Sequence, residues 1–444
     1  MNVKTPICDF LTAYTGKKRT RCHTPGSKGR VYKHDITEIN GADSLYEPCS
    51  CAADTTTGII AESENIAARL FGAAKTLYSC SGSTLAVQTM LSLIKTSAEA
   101  NGKNRIAAFR YAHRSFISAA ALLGFDIDWI YPEEFLSACL KPEAVKEAVR
   151  PDTAAVFVNS LDYYGGMCGI QEISSVCKQA DIPLLVDNAH GAYFILTGGH
   201  PITHGASMTA DSAHKTLPVM TGAAYLHIND TRFTENAKSA MAVFGTSSPS
   251  YLILESLDTC NKHIAEAKDK VKQADFAFAL TEELKQSLKA SGFALKESDL
   301  LRITVNARES GYTGVEFAAE LRQNGVEPEY ADENYTVLLF STVTNKKEIT
   351  AVNKAFQKIK IKKPLPPLIY PVIKPKSNIS AREALFHSKH YDITELNTAK
   401  DRICAEVIAP CPPGIPLIMP GELIGADEIE LLKSFRVKRI RVIR

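Results

Sequence analysis

Beyond about residue 60, apolar positions recur in two alternating rhythms: short continuous runs, and longer stretches at the spacing of one helix face. The helical rhythm predicts helices over 61–71, 84–97, 115–123, 142–149 and 171–179; the compact runs predict strands over 105–110, 127–131, 154–160 and 183–187. Strands alternating with helices are βαβ units, which build a mostly parallel sheet. Leu184, Leu185 and Val186 form an unbroken apolar run that ends in Asp187. That is the pattern of a central strand covered on both faces, whose carboxyl end opens into a ligand crevice.

A long helical pattern over 249–292 leaves this body, and a second α/β cycle follows: strand 300–305, helix 313–324, strand 335–341, helix 346–359. Pro364, Pro366 and Pro367 mark a linker. The expected organisation is an arm without sustained periodicity (1–60), a large domain (61–290), a small α/β domain (291–362) and a C-terminal α+β domain (363–444). The tail from Phe435 to Arg444 alternates basic and apolar residues, which reads as a final edge strand with a charged face.

The composition is that of a globular chain, with 45% hydrophobic and 23% charged residues. At 444 residues, it exceeds what one core organises, so several packed lobes are expected. Lys and Arg total 51 against 49 Asp and Glu, a net charge of +2 that offers no field for nucleic acid or an anionic membrane. The expected partner is a small molecule. Eleven cysteines without a CxxC pair or an apolar leader read as reduced thiols, and no apolar stretch is long enough to span a membrane; a cytoplasmic protein is expected.

Two segments carry candidate chemistry. Ser79-Cys80-Ser81-Gly82-Ser83-Thr84 precedes a helix, where backbone N–H groups, hydroxyls and the positive end of the helix dipole can converge on a phosphate. Alone it is an ordinary helix cap. Asp187-Asn188-Ala189-His190-Gly191 puts a carboxylate at a strand end, and Ser212-Ala213-His214-Lys215 follows. A lysine amine flanked by His and hydroxyls and facing an acid suits a nucleophile that condenses with an aldehyde. Pyridoxal 5'-phosphate needs these parts: a lysine for its aldehyde, an acid for its pyridine nitrogen, and a helix-end cup for its phosphate.

The motifs then become specific. In chain order stand His23-Thr24-Pro25-Gly26, Ala67-Ala68-Arg69-Leu70-Phe71-Gly72, Ser81-Gly82-Ser83-Thr84, His113-Arg114-Ser115 and Asp162-Tyr163-Tyr164-Gly165. Val186 to Gly191, Ser212 to Leu217, Thr246 to Tyr251, Ser256-Leu257-Asp258, Pro412 to Pro416 and Pro420-Gly421-Glu422 complete the series. Together they resemble the bacterial pyridoxal-phosphate-dependent Orn/Lys/Arg decarboxylase family, in a short form without the N-terminal wing domain of larger members.

The resemblance implies an aspartate-aminotransferase-like fold (fold type I) and decarboxylation of a basic amino acid, arginine or lysine preferred and ornithine possible, in polyamine biosynthesis. It assigns the cofactor aldehyde to Lys215, the pyridine nitrogen to Asp187 and the ring face to His113. Gly82, Ser83, Thr84, Ala189, Ser212 and His214 surround the cofactor, and either Lys215 or His214 returns the proton to the product. Thr246 and Ser247 match a segment that reaches the neighbouring subunit's phosphate, which implies a homodimer with shared sites, open to higher assembly. Glu422 is a candidate for the substrate's distal cation, which needs an acid partner.

Ser27 stands where the family usually has His, Asn188 replaces a common Glu, and Cys411 replaces a Tyr; none of the three removes a cofactor-holding group. Two other readings use the same residues: transamination or another lyase reaction on this scaffold, and a non-catalytic cofactor- or amine-binding descendant. No metal site is expected. His200 and His204 have i, i+4 spacing, but Pro201 and the flanking glycines predict a loop. His387 and His390 read as a solvated face, and Cys49 and Cys51 as incidental thiols.

Overall fold

The computed structural model describes residues 3–16, 58–99, 101–135, 137–273, 276–387, 390–409 and 415–444. His23, Ser27, Cys49, Cys51 and Cys411 lie outside them, as does the side chain of His387. The main strands in chain order are β1 (Lys75–Ser79), β2 (Arg105–Phe109), β3 (Asp126–Ile130), β4 (Thr153–Asn159), β5 (Leu184–Asp187), β6 (Met208–Asp211) and β7 (Ala224–Ile228). They distribute over two compact units, neither contiguous in sequence. One comprises Met1–Leu93, Asn188–Phe276 and Ser341–Val343; the other comprises Ile94–Asp187, Ala277–Phe340 and Thr344–Arg444.

In the first unit, β7 lies between β1 and β6 and is antiparallel to both, so β1 and β6 share a direction. The helix Ile59–Phe71 ends at Gly72, whose left-handed φ of 69° lets its N–H reach back to the Ala68 carbonyl. This delivers Phe71 into the core, stacked on His227 with ring centroids 4.1 Å apart.

The N-terminal segment departs from expectation, because Pro6–Gly16 is a helix. Tertiary contacts sustain it: Cys8 N–H donates to Asp258 Oδ2 at 3.0 Å, while Ser63 donates to the other carboxylate oxygen. Asp258, from the Ser256-Leu257-Asp258 motif, is therefore a structural anchor on the helix Tyr251–Lys270. The single helical pattern expected over 249–292 is two helices, Tyr251–Lys270 and Ala277–Ala290.

In the second unit, the order β5-β4-β2-β3 is parallel throughout. The apolar runs predicted as covered strands are buried along Ile106 to Phe109, Ala154 to Val158 and Leu184 to Asp187. Parallel pairing brings the carboxyl ends of β2, β4 and β5 to one edge, with Asn159 in register with Asp187. Among these seven strands, β7 alone opposes its neighbours within a unit, which is the mostly parallel α/β class predicted.

A second sheet in this unit contains β8 (Leu295–Lys296), β9 (Arg302–Asn306), β10 (Tyr330–Ala331) and β11 (Tyr335–Leu339), antiparallel in the order β10-β11-β9-β8. Its helices Gly314–Gln323 and Lys346–Gln357 begin with capping boxes, Thr313 with Glu316 and Asn345 with Glu348. The basic tail forms β13 (Arg439–Ile443), antiparallel to β12 (Tyr391–Glu395). Ile440 and Val442 enter the core while Arg439 and Arg441 face out, as the alternation predicted.

Candidate active site

Strand β6 ends at Asp211, and Ser212 opens a single helical turn, Ala213–Thr216. The turn is held at both ends: Lys215 N–H donates to Ser212 O at 3.1 Å and Leu217 N–H to Ala213 O at 2.8 Å. It presents the Lys215 side chain half-buried, with Nζ 3.0 Å from His190 Nε2. His214 is oriented differently. Its Nδ1 lies 3.0 Å from the Ala223 carbonyl, so this nitrogen carries the proton and donates it to the backbone.

The predicted phosphate segment lies in the same unit. Gly82 has a φ of 68° and starts the helix Gly82–Glu99; its N–H donates to Gly222 O at 2.8 Å. Ser212 Oγ donates to Ser83 Oγ at 2.8 Å, which ties the lysine turn to this helix. The first-turn N–H groups of Ser83 and Thr84 have no partner within the helix, as at any helix start, so two hydroxyls and open N–H groups meet beside the turn that carries Lys215. Thr246 and Ser247 lie exposed in the loop after the helix Ala237–Phe244, and Thr246 and Ser81 line one cavity of about 280 Å³.

Behind these residues is a buried cluster that spacing along the chain did not suggest. Asp211 Oδ2 accepts from Asn188 Nδ2 at 2.8 Å and from His200 Nε2 at 2.7 Å. His227 Nε2 is 4.0 Å from the same oxygen. The three side chains have metal-ligand chemistry, but His200 Nδ1 accepts the Ile202 N–H at 3.2 Å, so the ring proton sits on Nε2 and donates to Asp211. In this pattern, His200 presents no lone pair to a cation. The expected loop is present at His200 and His204, with His204 Nε2 donating to Gly198 O at 3.0 Å.

Burial penalises the Asp211 charge, yet contact with His200 and the donated hydrogen bonds bring its pKa below the ordinary carboxylate value. Burial pushes His227 down to about 3, despite attraction from Asp211. Unfolded His227 takes a proton below its ordinary pKa of 6.5, whereas the folded residue stays neutral to about 3. Stability should therefore fall as pH drops through that window, by up to roughly 5 kcal/mol from this residue. Urea midpoints from about pH 7 down to about pH 4 should show this slope, and His227→Gln should flatten it. An unchanged slope in that variant would contradict the assignment.

In the second unit, Asp187 is buried at the carboxyl end of β5, and Ser160 N–H donates to its carbonyl at 3.0 Å. Next to Asp187 in the chain, Asn188 is held by Asp211, and Ala189 is half-buried. His113 follows β2 and caps the helix Arg114–Leu123; its Nδ1 accepts from Ser115 N–H at 3.2 Å, which leaves the proton on Nε2 of an exposed ring. Asp187 and His113 thus occupy the same edge of the parallel sheet.

Glu422 has different company from that expected of a substrate contact. Arg110 donates to both of its carboxylate oxygens, at 2.5 and 2.9 Å, and Met419 N–H adds a third bond at 2.8 Å. Both side chains are buried. Burial opposes the Arg110 charge, and the attraction of Glu422 outweighs it, so the guanidinium pKa ends above its ordinary value. A distal substrate cation would have to compete with Arg110 for this carboxylate.

Lys215 on a short turn after a strand, tied to a hydroxyl-lined helix start, offers an amine and a phosphate cup of the kind pyridoxal phosphate needs, and the fold is that of fold type I pyridoxal-phosphate enzymes. Residues 5–307 match the Orn/Lys/Arg decarboxylase major domain, and residues 357–440 match the C-terminal domain of the same family. The chain belongs to that family of pyridoxal-phosphate-dependent amino-acid decarboxylases. It is 29% identical to the uncharacterized protein YaaO of Bacillus subtilis, over 97% of this chain and 94% of that one. It is 25% identical to an arginine decarboxylase of Halalkalibacterium halodurans, over 97% and 93% respectively. The lysine decarboxylase LdcF of Francisella novicida shares the fold at a TM-score of 0.77 and 16% identity, covering 100% of this chain and 82% of that one.

Sequence reasoning singled out Lys215 and its flanking segments but not the partner of its amine. The available signal was His190 itself, three residues after the strand-end Asp187 and followed by glycine.

Proposed function

We propose that this protein decarboxylates a basic amino acid, arginine or lysine in preference to ornithine, releasing CO2 and the corresponding amine. The observation that carries this reading is the Lys215 amine, held 3.0 Å from an imidazole on a turn tied to the hydroxyl-lined helix start. The names of several relatives as arginine decarboxylases support a basic substrate.

When bound, pyridoxal phosphate supplies an electron sink conjugated to the substrate's α-carbon. The residues of this chain do the rest. Lys215 would hold the cofactor through its aldehyde, its amine being the nucleophile of the site. Asp187 holds a proton on the pyridine nitrogen, without which the sink weakens. His113 covers the ring face. Gly82, Ser83, Thr84 and Ser212 hold the phosphate, with Ala189 and His214 alongside. Thr246 and Ser247 reach the phosphate of a second copy, so the working unit is a homodimer with shared sites. Residues 61–290 form the cofactor domain, 291–362 the small domain and 363–444 the C-terminal domain of a cytoplasmic enzyme of polyamine synthesis.

The test is to load the purified protein with pyridoxal phosphate, then supply arginine, lysine and ornithine in turn while trapping CO2. A visible absorption band with CO2 from one basic substrate is the expected result. A band with no CO2 from any of them would point to another pyridoxal-phosphate reaction, and no band would remove the site assignment.

A further inference from the structure

Lys215 must shed a proton before its amine can attack an aldehyde, because an ammonium has no lone pair. Two histidines stand close to it in sequence or space, and the structure distinguishes them. The Nδ1 proton of the adjacent His214 is committed to the Ala223 carbonyl at 3.0 Å. His190, 25 positions earlier in the chain, places Nε2 3.0 Å from Lys215 Nζ, within direct proton-transfer distance.

His190 is held there by a specific turn. Gly191 N–H donates to Asn188 O at 2.9 Å, which closes the turn that carries the imidazole. A Cβ at Gly191 would lie 2.1 Å from Asn188 Oδ1 and 2.7 Å from the Phe194 ring, so the turn admits only glycine without rearrangement. Asn188 is anchored in turn by its 2.8 Å bond to the buried Asp211 carboxylate. Asp211 ends the strand from which the Lys215 turn departs, so one buried group braces both partners.

We propose that His190 is the proton acceptor for Lys215: its Nε2 takes the proton from the Nζ ammonium, and the freed lone pair forms the C–N bond to the aldehyde carbon. The attacking nitrogen then passes one of its two remaining protons to the former carbonyl oxygen and the imidazolium returns the first, so that oxygen leaves as water as the C=N bond forms, and protons and charge balance with no other reactant. This deepens the reading of Lys215 as the cofactor-binding amine and rests on it. Asn188 and Asp211 are positioning residues for His190.

The test compares the full-length protein with His190→Ala and His190→Gln at one fixed pH. One readout is the rate at which pyridoxal phosphate is captured, followed by its absorption band. A second does not need that cofactor: reductive methylation of Lys215 by formaldehyde and cyanoborohydride, followed by peptide mass spectrometry. Both rates should fall by at least about 100-fold in His190→Ala, the lower end of what proton transfer contributes. Imidazole added to His190→Ala should restore them. His190→Gln keeps a hydrogen-bonding side chain but cannot carry the proton, and should stay slow.

A wild-type rate of methylation in His190→Ala, a slow rate that imidazole does not lift, or full recovery in His190→Gln would each overturn the proposal. If the unmodified protein captures no pyridoxal phosphate, the cofactor reading fails, while methylation of Lys215 still decides the role of His190.

Discussion

Lys215→Ala should lower CO2 release by about 10³-fold or more, the scale on which loss of a covalent nucleophile acts. It should also remove the absorption band of the lysine-held cofactor. The cause is local. On the proposed reading Lys215 supplies the amine that holds the cofactor aldehyde, and His214 beside it has no equivalent group to offer. The fold should survive, because the side chain is only half-buried and the turn Ala213–Thr216 is held by backbone bonds from Lys215 and Leu217 that alanine also makes. A urea midpoint measured alongside separates loss of chemistry from loss of structure. Retention of both the band and CO2 release in this variant would show that another amine carries the cofactor.

The largest effect on stability is expected at Glu422→Ala. That change leaves the Arg110 guanidinium buried without its carboxylate, a situation that costs about 3–5 kcal/mol. The ring faces of Trp129 and Tyr131, 5.4 and 5.6 Å from the guanidinium carbon, offset only part of this. Replacing the pair together, as Arg110→Met with Glu422→Leu, should recover most of the loss, because the desolvation cost of both charges disappears with their attraction. Urea denaturation of the three proteins tests this. A loss below about 1 kcal/mol in Glu422→Ala would mean that the pair is effectively solvated. The same variants weigh the alternative role for Glu422: a substrate contact would raise KM in Glu422→Gln with little change in stability, whereas a partner of Arg110 should show the reverse.

Much of the fold was legible because its causes are local. The apolar run Leu184 to Val186 carries the pattern of a covered strand and forms one, and the place of Asp187 at its end followed from chain direction. Thr313 with Glu316 and Asn345 with Glu348 carry the spacing of helix starts and form them. Where causes were not local, the pattern misled: the helix Pro6–Gly16 lacks a clear signal of its own and depends on Asp258, 250 residues from Cys8.

The site divides along the same line. Lys215, Ser212, Ser83 and Asp187 stand out as candidates from residue type and position relative to strand ends, and the order of the motifs was sufficient to suggest the family. The choice of His190 over His214 as the neighbour of the Lys215 amine, the convergence of His200 and His227 on Asp211, and the claim of Arg110 on Glu422 were all decided by tertiary structure. Each depends on which strand ends and loops become neighbours and on the direction in which a side chain leaves its turn. Those quantities arise from long-range packing, and no short window of sequence contains them.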